Sequence, residues 1–586
     1  MFTYTGTVWL PARSMDGRFH GLARTFRKTA CLALSLAALA TAQWTYPGCP
    51  DVTNADFRYE VLAQRGKPSD PTMSEPVKMA FDFHDGVTDV YYVEMKGNLK
   101  MWSATTKTSK VVGHLWVKDS AKGSEEGLLG LALDPKFKEN HFVYLFWTPA
   151  APLVPPQWEF EYRLSRFTLA GDRMDMASEK ILFRFPHEPL ACCHSGGSMQ
   201  FDAYGDLWIA IGGNGPKRDP MTEDFSYSTE EDGASSTADL RGGVVRIHPD
   251  DSPRGYSIPK GNFGAYFADK ADKAGKPDLA AQYRDTALVK PEVYVKGMRN
   301  AYTMTIDPVR RWITVGDVGP DNHAQMEEHN LFKTPAFAGW PYFAGKNLMF
   351  LGNKDPNAST NNSKWNKGMK VLPPATPSIR SYATSTAITG PIYRYDGDLQ
   401  SPGKFPPHFN RKWFIAEFTQ QWVRVVTLDT SGTRIEKDEQ IFKDHNFSNP
   451  VELQMGPDGS LYVINYAGHF GPSSDTRIER VTYAGPCRPD LPKVEKAPPD
   501  STSSVVRLGG PAGRALESGT VLIGFDRTLH LAPGGGRSGR FELFDMQGHR
   551  VHSGEVPAGE SLVSIPASVG RGLFLLRMSP SQGNQP

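Results

Sequence analysis

A chain of 586 residues, 39% hydrophobic and 22% charged, has the composition of a soluble globular protein. Glycine (56) and proline (46) together make up about a sixth of it, above the usual share of roughly an eighth, which argues against helical bundles and coiled coils because both residues are costly inside helices. A formal charge of +1, from 65 basic and 64 acidic residues, gives no electrostatic basis for a nucleic-acid partner or an anionic membrane.

In chain order, residues 1–42 read as an export signal. Arg18, Arg24, Arg27 and Lys28 precede an uncharged run at 29–42 that closes on Ala40-Thr41-Ala42, a small-x-small cleavage pattern. That run is too short for a permanent span, which takes about 20 residues. Translation from Met1 or from Met15 would carry the same segment. Export predicts a secreted or cell-surface protein and makes the cysteines candidates for disulfides. With Cys31 removed, Cys49, Cys192, Cys193 and Cys487 remain, and three pairings are open. A Cys49–Cys487 bond would clasp the ends of the region between them, leaving Cys192 and Cys193 as a vicinal pair or as thiols.

Between residues 43 and 487 a short unit recurs: an apolar residue, an Asp or turn, then a run of β formers. It reads AFDFHDGVTDVYYVE from Ala80, LALDPKFKENHFVYLFW from Leu131, MQFDAYGDLWIAIGG from Met199 and MTIDPVRRWITVGDV from Met304. A degenerate copy, KFPPHFNRKWFIAEF, starts at Lys404, and LQMGPDGSLYVINYA starts at Leu453. The second strands begin near residues 90, 142, 207, 312, 413 and 461. Repetition of a small sheet at this spacing predicts an all-β fold, a six-bladed β-propeller whose loops converge around a central channel. Asp134, Asp202, Asp307 and Asp458 recur at one point of the unit and read as turn closers. Insertions near 214–238, 250–290 and 343–386 are expected to wall the channel mouth.

Residues 488–519 have the Pro, Ser, Gly and charge content of a linker. Residues 520–586 hold three β-like runs, FELFDMQGHRV, SLVSIPA and GLFLLRM, enough for a small C-terminal β-sandwich. This block resembles the sorting domains of proteins exported by the type IX secretion system, through Phe544-Asp545, Gly548 and the closing RGLFLL from Arg571. The resemblance implies the secretion machinery as a partner.

Along residues 60–484 the chain resembles the glucose/sorbosone dehydrogenases. The match is carried by EEGLLGLALDPKF from Glu125, HSGGSMQFDAYGDLWIAIGG from His194 and GMRNAYTMTIDP from Gly297, extended by GDVGPD from Gly316 and AGWPYFAG from Ala338. The resemblance implies oxidation of a sugar or polyol carbinol with pyrroloquinoline quinone (PQQ) held by calcium, and transfer of electrons to an external acceptor. It gives His194 as general base, Arg299 and Asn300 as cofactor contacts, and the carbonyls of Gly319 and Pro320 as calcium ligands, with Asp321 adding a carboxylate. Arg suits a carboxylate bidentately, calcium prefers oxygen, and Glu126 is a candidate for reaching substrate. One departure concerns the quinone's carboxylates. The stretches in blades five and six that correspond to the family's cations read EFTQQW at 417–422 and FSNPVE at 447–452, without Lys or Arg; Lys296 and Arg299 remain nearby. Two other functions fit the same propeller, a calcium-dependent lactonase and a non-catalytic module binding a glycan or a protein partner.

Overall fold

The computed structural model describes residues 52–487, apart from 119–124, 151–159, 188–192, 216–227, 321–324, 353–354, 384–385 and 470, and the strands within 505–580. The signal-like segment 1–42, most of the linker, Cys49, Cys192 and Asp321 lie outside the described residues.

Each of the six sequence units folds as an inner strand paired antiparallel with a second strand. The pairs are Pro76–His84 with Val87–Glu94, Leu128–Leu133 with Phe142–Trp147, and Gly196–Phe201 with Leu207–Ile211. Ala301–Ile306 with Ile313–Asp317, Ala387–Ile392 with Lys412–Glu417, and Pro450–Met455 with Leu461–Asn465 complete the set. The recurrent Asp closes four of the turns as expected. One oxygen of Asp134, Asp202, Asp307 and Asp458 accepts a backbone N–H two residues on, at 2.9, 2.8, 2.9 and 3.1 Å. In three of them the other oxygen binds an aromatic of the second strand: Tyr144, Trp208 or Tyr462. The turn residue thus also fixes the strand that follows it.

Two further strands complete five of the blades on the outer side, and four further strands extend blade three into a six-stranded sheet. The sixth blade takes its outermost strand from the start of the domain, Phe57–Gln64 pairing antiparallel with Arg477–Tyr483. Inner strands of successive blades pack side by side, and the sixth contacts the first, so the ring closes. The observed fold is the expected six-bladed propeller. Second strands lie between neighbours on both sides and blades on both faces, which is why LWIAI, ITVGD and LYVIN are buried throughout. At roughly 1.5–3 kcal/mol for each large apolar side chain buried, these strands carry much of the stability.

Strand direction sets where the insertions emerge. In blade three, Ile211 pairs with Gly196 on one side and Gly243 on the other, while Leu207 pairs with Phe201 and Ile247. The 214–238 insertion therefore leaves from the end carrying His194. The 250–290 insertion, with helices Phe263–Lys273 and Pro277–Arg284, leaves from the opposite end and does not wall the mouth. Residues 336–337 run parallel to Val293–Lys296 towards the His194 end, bringing Trp340 and the start of the 343–386 insertion to it. In the C-terminal block, strands Ser518–Ile523, Gly572–Pro580, Gly539–Phe544 and Arg550–Val556 form one sheet, and Val505–Val506, Thr528–Leu531 and Leu562–Ser564 a second. Among the described residues no helix is long and apolar enough to cross a membrane.

Candidate functional site

His194 lies two residues ahead of the inner strand of blade three and is buried. Its φ of +66° is in the left-handed region that a side chain rarely adopts, a strained conformation typical of positions fixed by their surroundings. Both of its backbone groups are held. The N–H donates to Glu125 Oε2 at 2.9 Å, and the carbonyl accepts the Asn214 N–H at 2.9 Å. Gly196 and Gly197, also at positive φ, allow close strand packing, since a Cβ on Gly197 would stand 2.6 Å from the Leu129 carbonyl oxygen.

Glu125 joins three blades. The same Oε2 accepts the Ser195 N–H at 3.3 Å and the Asn300 side-chain amide at 3.1 Å. One carboxylate from blade two thereby fixes the residues that open the inner strands of blades three and four. Sequence reasoning favoured its neighbour, Glu126, for substrate contact. The structure buries Glu126 in an ion pair with Lys118 Nζ at 2.6 Å. No pattern in the sequence separates two adjacent glutamates; only the contacts each makes do.

Arg299 and Asn300 are brought together with His194, as expected. Asp317, at the end of the second strand of blade four, accepts the Arg299 N–H at 3.0 Å and the Asn300 N–H at 2.6 Å. Burial pushes the Asp317 carboxyl up to about 7, opposed by those two N–H groups and by the Arg299 charge. The Arg299 guanidinium donates through Nη1 to the Val318 carbonyl at 3.0 Å and lies 5.8 Å from the Trp340 ring centroid. The buried Asn300 Oδ1 has no hydrogen-bond partner among the described residues, an acceptor facing a need that a ligand donor would meet.

Gly319 and Pro320 are buried beside these residues, with the Gly319 N–H 3.2 Å from Glu327 Oε2. Among the described residues no group of three or more His, Cys, Asp or Glu is arranged to hold a metal. The calcium expectation thus rests on two carbonyls and on Asp321, which is outside the described residues. Cys193 and Cys487 are each disulfide-bonded.

Lys296 is not available to a ligand. Its Nζ donates to the carbonyls of Gly233 at 2.7 Å, Asp239 at 2.9 Å and Arg241, which uses its three N–H donors. Lys78, which the sequence did not single out, is a buried cation of the inner strand of blade one. Its Nζ is 3.5 Å from Glu452 Oε2 and 4.0 Å from the Tyr302 ring centroid. Burial lowers its pKa, with Glu452 opposing.

On blades five and six the departure from the family is also visible in space. Glu417 accepts the backbone N–H groups of Thr386 and Gln420, Ser448 donates to Asp475 at 2.7 Å, and Asn449 donates to the Phe418 carbonyl at 3.0 Å. On the blade-four side Arg299 brings a cation and Asn300 an unpartnered acceptor. On the other side of the mouth the described residues of these two stretches bring no cation.

The family model for glucose/sorbosone dehydrogenase matches residues 73–265 and 270–469. The chain is 23% identical over 431 residues to the aldose sugar dehydrogenase YliI of Escherichia coli K12, covering 73% of this chain and 93% of that one. Among solved structures, the soluble aldose sugar dehydrogenase of E. coli in its apo form is 21% identical, with a TM-score of 0.49 and coverage of 72% of this chain and 99% of that one. The PQQ-bound aldose sugar dehydrogenase of Streptomyces coelicolor is 17% identical, with a TM-score of 0.46 and coverage of 74% and 99%.

Proposed function

We propose that this chain, which belongs to the glucose/sorbosone dehydrogenase family, oxidises a carbinol of an aldose or polyol, with His194 as the general base. The observation that carries the reading is the convergence of His194, Glu125, Asn300 and Arg299 at one end of the channel through direct bonds between blades two, three and four. An imidazole is a base suited to neutral pH. His194 takes the hydroxyl proton as the carbinol carbon gives up a hydride. Asn300 Oδ1 accepts a hydrogen bond from the bound ligand and so orients it, and Arg299 grips a carboxylate. A bound PQQ would supply the two-electron acceptor, with calcium at the Gly319 and Pro320 carbonyls polarising it. An external acceptor then reoxidises the site.

Export completes the reading. The signal-like segment and the C-terminal block support passage through the periplasm to the cell surface or medium by the type IX machinery. Disulfide bonding of Cys193 and Cys487 suits an oxidising compartment, and we assign their partners as Cys192 and Cys49. A second reading, a propeller that binds a glycan or a protein without turning it over, is favoured by the cation-free stretches of blades five and six. Calorimetric titration of the purified full chain with calcium and PQQ separates the two. Binding of both supports the dehydrogenase, whereas binding of neither moves the assignment to the binding module.

A further inference from the structure

The His194 ring has a carboxylate beside it that does not come from the propeller repeat. Glu230 Oε1 lies 3.4 Å from His194 Nδ1, with side-chain exposures of 4% and 7%. Nδ1 has no hydrogen bond among the described residues; an orphaned buried polar group is costly, and the Glu230 carboxylate is within reach of it. Glu230 belongs to the helix Ser228–Asp232 in the insertion after the second strand of blade three.

Glycines make room for it. A Cβ on Gly213 would stand 2.6 Å from Glu230 Oε2, and one on Gly215 would overlap the carboxylate. The chain leaving the blade has therefore given up its own side chains where Glu230 enters. The helix is pinned from the other insertion, one acidic residue at a time. Trp340 Nε1 donates to Glu230 Oε2 at 3.0 Å, Tyr342 OH to Glu231 Oε1 at 2.9 Å, and Ser363 Oγ to Asp232 Oδ1 at 2.5 Å. Lys296, through the Gly233 carbonyl, ties down the helix's end.

We propose that Glu230 is a positioning residue for His194, holding the imidazole in the tautomer with its proton on Nδ1 and the lone pair on Nε2. The proposal deepens the reading of His194 as base and depends on it for its catalytic consequence. A neutral imidazole has one donor and one acceptor nitrogen, and a carboxylate can only accept. Nδ1 must then donate, which leaves Nε2 to take the substrate proton. Because Oε2 is engaged by Trp340 and Oε1 faces the ring, Glu230→Gln has a defined outcome. Its amide oxygen keeps the Trp340 bond and its NH2 turns to Nδ1, which must then accept, so the proton moves to Nε2.

The test is the two-bond 1H–15N pattern of His194 in the full-length protein labelled with 15N-histidine, assigned by comparison with His194→Gln. The wild type is expected to show the Nδ1–H tautomer and Glu230→Gln the Nε2–H tautomer, with kcat for sugar oxidation lower by at least ~100-fold, the low end of a general base's contribution, and KM nearly unchanged. An Nε2–H tautomer in the wild type, or the same tautomer in both proteins, overturns the proposal. The spectrum needs neither substrate nor cofactor. A Glu230-dependent tautomer in a protein that oxidises no sugar would therefore sink the functional reading and leave the positioning intact.

Discussion

The Glu125 carboxylate of blade two accepts the backbone N–H of His194, which opens blade three, at 2.9 Å, and through the same oxygen it holds the Asn300 amide of blade four at 3.1 Å. Removing this acceptor leaves donors at two strand openings unpaired. Hydrogen bonds to a charged group contribute about 1.5–3 kcal/mol, so Glu125→Ala should lower kcat/KM by roughly 10- to 100-fold. Glu126→Gln, which weakens the ion pair with Lys118, should change it little. Parallel steady-state kinetics on the two variants check this, and equal losses would mean that Glu125 has no special place at the site.

Two neighbouring cations are predicted to behave differently. On the proposed reading Arg299 grips a carboxylate of the cofactor, so Arg299→Gln should weaken PQQ binding by about 10- to 100-fold, the worth of one charge-assisted hydrogen bond, with little change in thermal stability. Lys296 is spent on three carbonyls. Lys296→Met should therefore destabilise the fold by about 3 kcal/mol, the cost of orphaned buried acceptors, as read by urea unfolding. Calorimetry and unfolding curves on both variants separate a ligand contact from a scaffold contact.

His329 sets an acid limit on the fold. It is fully buried, stacked on Tyr382 with ring centroids 5.6 Å apart, and neither ring nitrogen has a hydrogen bond among the described residues. Burial, reinforced by the Arg380 charge, holds its pKa well below the ordinary 6.5. The unfolded chain therefore binds a proton that the folded chain refuses. The stability this neutral imidazole allows is present above about pH 6.5 and lost as pH falls, at up to ~1.4 kcal/mol per pH unit. Unfolding free energies measured from about pH 7 to 5 should fall more steeply for the wild type than for His329→Phe. Superimposable profiles would assign the acid sensitivity elsewhere.

The parts of this molecule legible in its sequence were those written by repetition. Asp134, Asp202, Asp307 and Asp458 stand at the turns because each closes the turn and, in three cases, ties down the next strand's aromatic. That constraint leaves a readable mark in four of the six units. The closing strand Phe57–Gln64 carries no such mark, because an outermost strand is specified by its partner Arg477–Tyr483 rather than by a turn of its own. His194, Arg299 and Asn300 could be named only through the family resemblance of the stretches from His194 and Gly297. Glu125 could not be told from Glu126, and Glu230 could not be found, since it reaches the ring from an insertion whose position only the Trp340, Tyr342 and Ser363 contacts decide. Strand direction likewise moved the 250–290 insertion to the far end of the propeller, a fact that length and composition do not encode.

On the proposed reading His194 acts as the base in quinone-dependent oxidation of a sugar. The most direct test of this role is reduction of a redox dye by the full-length protein reconstituted with calcium and PQQ, across a panel of aldoses and polyols, in the wild type and in His194→Ala. Sugar-dependent dye reduction is expected in the wild type, with a loss of about 10²- to 10⁴-fold in the variant, the contribution of a positioned general base, and PQQ binding retained. Dye reduction that survives His194→Ala, or its absence in a wild type that binds both calcium and PQQ, would contradict that role.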